Sequence, residues 1–389
     1  MKVHIVVAGR ARPPRRWPVL RFFAWILPFV AMRRGVDWGE TACGIIAALG
    51  GIGASRALLA NELWLKISPI VLGTWAIGGW MWGGSDEQTS IAAIKASFDA
   101  GVTTIDTAAI YGMGYSEQLV GKAIRGYPRE KIIIASKCGM RWDDPKEEGS
   151  DPWPQKDPAG RDVVIRKNSK PASITYGCEQ SLQRLGVDYI DLYQIHWPDA
   201  ATPVEESFGA LEKLRKAGKI RAIGVSNYDV AWMEKARSAG QLASLQPPYS
   251  LLNRGIEKEI LPYCRKHNIG VIVYSPMERG LLTGKVSADR QFPKGDHRRE
   301  HKFFTVENRR RVLAALAQIK PIADAHQASF AQVVINWTIQ EPGITAALVG
   351  ARNPEQAQSN AGALQFQLTD AQRAEIRRIF EALAMAEPM

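Results

Sequence analysis

The sequence is poor in cysteine, and its most apolar N-terminal stretch is too short to cross a membrane. The four cysteines are widely spaced and form no CxxC pair: Cys43, Cys138, Cys178 and Cys264. Such usage is typical of reduced thiols in a cytoplasmic protein. The apolar stretch, residues 22–32, is about 11 residues long and contains Pro28, whereas a membrane-spanning helix needs roughly 20. We therefore expect a cytoplasmic protein with no stable membrane span.

The body of the chain also lacks net charge. The formal net charge is +11, but residues 1–36 contain eight basic residues and no acidic ones, so the remaining residues carry only +3. A nearly neutral body argues against a face that binds the phosphates of a nucleic acid. With 46% hydrophobic and 23% charged residues, the composition is that of a folded globular protein. Its partners are expected to be small molecules, and the sequence does not indicate an oligomeric state.

The first 54 residues differ from the rest of the chain. The pair Arg15-Arg16 before a short apolar run resembles a twin-arginine export signal, which is an alternative to a cytoplasmic location. Pro18 and Arg21 interrupt the region after that pair, so we expect residues 1–54 to be an irregular extension, or not part of the mature chain. The segment GGIGASR resembles a dinucleotide fingerprint, but Arg56 replaces its third glycine and no strand precedes it.

From about residue 66, short β-branched runs alternate with helical patterns that end in glycine. This βα unit recurs about eight times, which predicts an α/β fold: a parallel (β/α)8 TIM barrel with C-terminal helices, spanning residues 55–389. An open doubly wound sheet is the alternative, because repetition alone does not establish closure. Residues 141–170 are polar and rich in proline, and they are predicted to form a loop.

Polar residues follow three neighbouring predicted strands. Asp106 ends the second strand, Lys137 the third and His196 the fourth, and Tyr111 lies in the loop after the second. In a barrel these side chains converge at one rim. An ammonium about 4 Å from a phenol favours the phenolate by on the order of 4 kcal/mol at an effective dielectric near 20, which predicts a lowered pKa for Tyr111. Such a group can protonate a carbonyl oxygen.

Tryptophans follow the same predicted strands and indicate an aromatic substrate pocket suited to small aldehydes or sugar faces. Its predicted members are Trp80, Trp82, Trp142 and Trp197. Two histidines four residues apart, His297 and His301, are surrounded by basic residues and have no evident third ligand. No metal site is therefore predicted.

The segments around these residues resemble those of the aldo-keto reductases, NADPH-dependent carbonyl reductases built on a (β/α)8 barrel. The likeness covers roughly residues 66–389, and its segments occur in the family's order. They are IDTAAIYG, IIIASKCG, DLYQIHWPD, GVSNY, LQPPYSLLNR, VYSPMERGLLTGK and VGARNPEQAQSNAGAL. The resemblance implies a proton-donor role for Tyr111, a tuning pair of Lys137 and Asp106, and a substrate-orienting role for His196.

The resemblance also implies a binding site for NADPH, with NADH as an alternative. Ser226, Asn227 and Gln246 would bind the carboxamide, Tyr274 would stack on the nicotinamide, and Arg352 would bind a 2′-phosphate, since a guanidinium can donate two parallel hydrogen bonds. The remaining implied cofactor residues are Thr74, Trp75, Ser275, Met277, Gly280, Leu282, Lys285, Gly350, Gln356 and Asn360.

The sequence departs from the family at two cofactor positions and leaves two other functions open. Ser359 stands where many members have an acid, and Gln356 where many have a second base, which makes the nucleotide preference less certain. One alternative is a redox-sensing subunit similar to the family's potassium-channel β subunits. The other is an aldolase-like barrel in which Lys137 forms a Schiff base.

Overall fold

The structure is a computed structural model that describes residues 2–7, 62–144 and 146–386. Eight parallel strands close into a barrel in the order β10-β11-β12-β13-β3-β4-β5-β9. The strands are β1 Lys2–Val7, β2 Glu62–Ile67, β3 Ile70–Gly73, β4 Thr104–Asp106, β5 Ile133–Cys138, β6 Met140–Arg141, β7 Ser150–Lys156, β8 Asp162–Lys167, β9 Ile190–Ile195, β10 Ile220–Ser226, β11 Ser244–Gln246, β12 Gly270–Val273 and β13 Ala346–Gly350.

Helices alternate with the barrel strands and continue after the last one. They are α1 Glu87–Asp99, α2 Tyr115–Ile124, α3 Pro171–Leu185, α4 Val204–Lys216, α5 Val230–Ala239, α6 Ile260–His267, α7 Val306–Gln318, α8 Lys320–Ala325, α9 Phe330–Gln340, α10 Pro354–Ala361 and α11 Asp370–Glu381. Side-chain caps begin several of them: Asp86 accepts a hydrogen bond from Thr89 N at the start of α1, and Thr369 forms a capping box with Gln372 on α11.

The closed barrel confirms the predicted fold class and excludes the open sheet. Its strands read as apolar runs because both of their faces are covered, one by the barrel interior and one by helices. The strand β9 is buried at every position, and Tyr193 on it is among the largest fully buried side chains. Parallel pairing aligns Asp106 with Ala135 and Lys137 with Gln194, so the carboxyl ends of β4, β5 and β9 lie at one rim.

The prediction of a loop over residues 141–170 is wrong. The strands β6, β7 and β8 form a three-stranded antiparallel sheet in the order β6-β8-β7 between β5 and α3. Two prolines, Pro152 and Pro154, made the β7 segment look like a loop, but β7 is an edge strand, where a missing N–H is tolerated. The small sheet follows a barrel strand directly and therefore lies on the rim that carries the polar strand ends.

At the N-terminus, the short strand β1 pairs with β2 in a two-stranded sheet that the sequence did not predict. Three features of the sequence lie outside the described residues: the segment that resembles an export signal, the fingerprint-like segment and most of the proposed 1–54 extension. In the part of the chain that the structure describes, no helix has both the length and the apolar character needed to cross a bilayer.

Candidate active site

The loop that carries Tyr111 is held in an unusual backbone conformation. Three successive residues, Gly112, Met113 and Gly114, have positive φ angles of 62°, 54° and 92°. A Cβ on Gly112 would lie 2.5 Å from the carbonyl oxygen of Gly78, so only glycine fits this close approach. Tyr111 directly precedes these three residues, and its side chain lines the cavity at the rim and contacts Lys137.

At the base of the rim, Asp106, Lys137 and Tyr111 form a chain of polar contacts. The Lys137 Nζ donates to Asp106 Oδ1 at 2.5 Å, to the Thr107 carbonyl at 3.0 Å and to the Tyr111 hydroxyl at 3.3 Å. The other Asp106 oxygen accepts from Gln246 Nε2 at 2.8 Å. Both members of the ion pair are almost fully buried, and their polar atoms are hydrogen-bonded, as a buried charge pair requires.

Burial and the neighbouring charges act in opposite directions on the ionisation of Tyr111 and Lys137. Burial raises the pKa of Tyr111, and the nearby Lys137 charge lowers that pKa only in part, so the predicted shift towards neutral pH is wrong. Burial also acts to lower the pKa of Lys137, but the Asp106 carboxylate and the Tyr111 phenol raise it, and the net shift is upward. At neutral pH Tyr111 is therefore a protonated phenol beside a charged ammonium. A protonated lysine is not a nucleophile, which argues against the aldolase-like alternative.

His196 lies directly after β9, beside the Tyr111 ring. The two ring centroids are 5.7 Å apart in an edge-to-face arrangement. Burial, and then the Lys137 charge, hold the pKa of His196 well below its ordinary value. The imidazole is therefore neutral at physiological pH, and its one N–H can donate a hydrogen bond to a substrate oxygen.

A cavity of about 730 Å³ opens above these residues. Asp106, Tyr111 and His196 line its base, while Lys137 lies beneath it and reaches it through Tyr111. Most of the predicted cofactor and pocket residues also line it: Thr74, Trp75, Trp80, Trp82, Trp197, Ser226, Asn227, Gln246, Tyr274, Ser275, Met277, Gly280, Lys285, Gly350, Arg352, Gln356 and Asn360.

The donor set of this cavity fits a nicotinamide dinucleotide. Hydroxyl and amide groups lie at the ends of β10 and β11: Ser226 Oγ donates to the Gln246 carbonyl at 2.8 Å, and Asn227 Nδ2 donates to the His196 carbonyl at 3.0 Å. Tyr274 follows β12 and donates to Asn227 Oδ1 at 2.9 Å. Cationic side chains line the cavity on the β12 and β13 side: Arg279, Lys285, Arg290, Arg298 and Arg352. Amides suit a carboxamide, and cations suit phosphate groups.

Arg352 links the segment after β13 to the loop after β3. Its Nη2 donates to the Gly84 carbonyl at 2.6 Å, and its backbone N–H donates to Gln356 Oε1 at 2.9 Å. Carbonyl oxygens are neutral acceptors, so a phosphate at this position would compete with Gly84 for a charge-assisted hydrogen bond.

Two predicted site residues lie elsewhere. Trp142 lines a second cavity, of about 560 Å³, beside the small sheet and does not line the catalytic cavity, because the chain leaves the rim through β6 before it returns. The Leu282 side chain is fully buried in the core. Conversely, the sequence did not indicate Trp153, which lines the catalytic cavity from β7, or the stacking of His297 on Trp75 at 4.8 Å between ring centroids.

The histidine ionisation predicts an acid-sensitive fold. Burial lowers the pKa of His196 well below its ordinary value and that of His301 to about 4, so each binds a proton in the unfolded chain before it does in the folded one. Their contribution to stability is complete above about pH 6.5 and is lost as the pH falls from there. We expect the melting temperature to drop between about pH 7 and 5, and to drop less steeply in His196→Gln. Equal slopes for the two proteins would contradict a neutral, buried His196.

A parallel barrel with an acid, an ammonium, a phenol and an imidazole at its carboxyl rim, under a cavity that fits a dinucleotide, defines a class: the barrel-type nicotinamide-dependent oxidoreductases. The chain belongs to the aldo/keto reductase family, whose family model matches residues 69–381. Its relatives are named as reductases and dehydrogenases, and the chain is an NAD(P)H-dependent oxidoreductase of this family.

Individual relatives cover nearly all of the barrel. The aldo-keto reductase YhdN of Bacillus subtilis is 38% identical over 319 residues, which are 82% of this chain and 91% of that protein. The NADH-specific methylglyoxal reductase of Escherichia coli is 38% identical over 324 residues, 82% of this chain and 96% of that protein. The structure of the glycerol dehydrogenase AKR11B4 from Gluconobacter oxydans matches with a TM-score of 0.73 and 39% identity, covering 84% of this chain and 94% of that one.

Proposed function

We propose that this protein catalyses the reversible, NADPH-dependent reduction of small aldehydes or sugar carbonyls to alcohols, with Tyr111 as the proton donor. The observation that carries the proposal is the contact of Lys137 Nζ with both Asp106 and the Tyr111 hydroxyl at the base of a cavity of dinucleotide size. Further support comes from relatives whose names include a methylglyoxal reductase and a glycerol dehydrogenase.

Bound NADPH would supply the hydride that a carbonyl carbon accepts. The chain's own residues act on the carbonyl oxygen. The neutral His196 orients that oxygen, and Tyr111 gives its hydroxyl proton to it as negative charge develops there. The phenolate that remains lies 3.3 Å from the Lys137 ammonium, which stabilises it in a buried site where charge interactions are strong. Asp106 keeps that ammonium charged and in place.

The proposed function is tested by NADPH oxidation against a panel of aldehydes, ketones and sugars, and by NADP⁺ reduction with glycerol. Methylglyoxal belongs in the panel because it is the substrate in the name of a relative. We expect carbonyl-dependent oxidation of NADPH with at least one small aldehyde. Absence of turnover with every carbonyl, or turnover too slow for an enzyme, would favour the alternative of a redox-sensing subunit.

The cofactor preference is expected to depend on Arg352. A charge-assisted hydrogen bond to a 2′-phosphate contributes roughly 1.5 to 3 kcal/mol, and NADH cannot make it. We expect Arg352→Ala to weaken NADPH binding by about 10- to 150-fold and to change NADH binding little. Titration of both nucleotides by quenching of tryptophan fluorescence measures these affinities.

The matched control is Arg310→Ala, which removes an exposed arginine from α7. It should leave both dissociation constants unchanged. An equal loss of NADH and NADPH affinity in Arg352→Ala would mean that the Arg352 contact with Gly84 supports the fold and does not select the nucleotide.

A further inference from the structure

Three tryptophans form a collar on one side of the catalytic cavity: Trp80, Trp153 and Trp197. The large tryptophan rings of Trp153 and Trp197 are 39% and 38% exposed. At the base of the cavity, Asp106 and Lys137 are only 1% exposed. The collar therefore lies at the mouth of the cavity, above the reacting groups. Large rings that remain open to solvent around a cavity mark a binding surface.

The small sheet holds Trp153 in place. The Trp80 Nε1–H donates to the Lys156 carbonyl on β7 at 3.2 Å, and the Trp80 and Trp153 rings meet at 5.7 Å between centroids. Pro152 and Pro154 flank Trp153 and restrict the backbone on both sides of it. A ring held in this way loses little conformational freedom when it contacts a ligand.

The same sheet is tied to the loop that carries Trp197. Asp199 Oδ1 accepts from Ser150 Oγ at 2.8 Å, and its Oδ2 accepts from the Ser169 backbone N–H at 2.8 Å. Asp199 is buried and lies two residues after Trp197. Its carboxylate therefore joins the loop that carries Trp197 to the strand that carries Trp153. The collar is thus a preformed surface contributed by three separate segments of the chain.

Two members of the collar, Trp153 and Trp197, lie across the barrel from the cations, whereas Trp80 follows β3, the neighbour of β13. Trp153 and Trp197 follow β5 and β9, whereas Lys285 and Arg352 follow β12 and β13, which lie across the ring of strands. Ile110 and Met140 also line the cavity, and they pack with Trp80 in one small apolar cluster. Rings and apolar side chains on this side of the cavity suit a flat, apolar group of a ligand.

We propose that Trp153 is a specificity-determining residue that contacts the part of the substrate remote from the carbonyl, and that the collar selects carbonyl compounds that carry a flat ring. The inference rests on the proposed carbonyl reduction and deepens it. A three-carbon substrate bound at Tyr111 and His196 has no group that extends to the mouth of the cavity. An aryl aldehyde places its ring between the reacting groups and the collar.

The test compares benzaldehyde with methylglyoxal in wild type, Trp153→Ala and Trp153→Phe. We expect Trp153→Ala to lower kcat/KM for benzaldehyde by about 10-fold or more, mainly through KM, because a lost apolar contact acts on binding. For methylglyoxal the loss should be about 2-fold or less, and Trp153→Phe should restore most of the benzaldehyde activity. Benzyl alcohol cannot react when NADP⁺ is absent, and its dissociation constant measured under that condition should rise in parallel in Trp153→Ala.

Tyr176→Ala is the matched control, since Tyr176 is a similarly exposed aromatic residue (41%) on α3 that does not line the cavity. It should change neither substrate's kinetics. Equal losses for benzaldehyde and methylglyoxal in Trp153→Ala, or no loss for either, would overturn the role of Trp153 while leaving the proposed function intact. A wild-type protein that reduces no carbonyl compound would refute the proposed function itself, and the inference with it.

Discussion

Replacement of Tyr111 by phenylalanine is expected to lower carbonyl reduction by at least about 10²-fold, because it removes the proposed proton donor and leaves the ring in place. The ring still packs beside His196 and Lys137, so the cavity keeps its shape. The nucleotide dissociation constant should not change. Steady-state kinetics with a small aldehyde and a fluorescence titration with NADPH measure the two effects.

Tyr115→Phe is the matched control for this prediction. Tyr115 begins α2, four residues after Tyr111, and does not line the catalytic cavity. Loss of its hydroxyl should leave turnover close to that of wild type. Near wild-type turnover in Tyr111→Phe would contradict the assignment of the proton donor.

Replacement of Lys137 by methionine is expected to reduce turnover as severely as the loss of the Tyr111 hydroxyl. Without the ammonium, burial and the Asp106 charge both raise the pKa of the phenol, and its conjugate base loses its counter-charge. The double variant Tyr111→Phe/Lys137→Met should be little worse than either single variant, because residues that act as a unit are not additive. Losses that multiply would show that the two side chains do not share one proton-transfer step.

The Lys137 variant also has a stability cost that must be separated from its effect on catalysis. It leaves the buried Asp106 carboxylate with neutral partners, Gln246 and the more distant Gln194. Breaking a buried ion pair in this way costs about 3–5 kcal/mol. Unfolding measurements and an NADPH titration on the same preparation give the folded fraction, and turnover is then compared per folded molecule.

The barrel and the polar residues at its carboxyl rim could be predicted because each depends on the order of strands, helices and strand ends along the chain. A polar residue at the end of an apolar strand reaches the carboxyl rim in any parallel barrel, so Asp106, Lys137 and His196 came together without knowledge of long-range contacts. The closed strand order then fixed their neighbourhood. The alternation of strand and helix patterns along the chain is enough to predict these positions.

Other features depend on tertiary contacts that no local pattern encodes. Trp142 lies four residues after β5, where a residue of the catalytic cavity is expected, but it lines the other cavity. The antiparallel pairing of the small sheet brings Trp153 to the mouth of the catalytic cavity instead. The pKa of Tyr111 was predicted from the charge of Lys137 alone, whereas the larger effect is burial, which the sequence does not specify. The Arg352 contact with Gly84 likewise joins residues far apart in the chain.

The proposed transfer of hydride from NADPH to a carbonyl carbon is tested most directly by following a deuterium label during reduction of an aldehyde by the wild-type protein. NADPH with deuterium in place of both hydrogens on the nicotinamide carbon that donates the hydride is incubated with the protein and benzaldehyde, and the alcohol is analysed by mass spectrometry and NMR. We expect one deuterium on the carbinol carbon and an unlabelled hydroxyl proton taken from Tyr111 and solvent. An alcohol without deuterium on carbon, or no alcohol from any aldehyde, would contradict carbonyl reduction at this site.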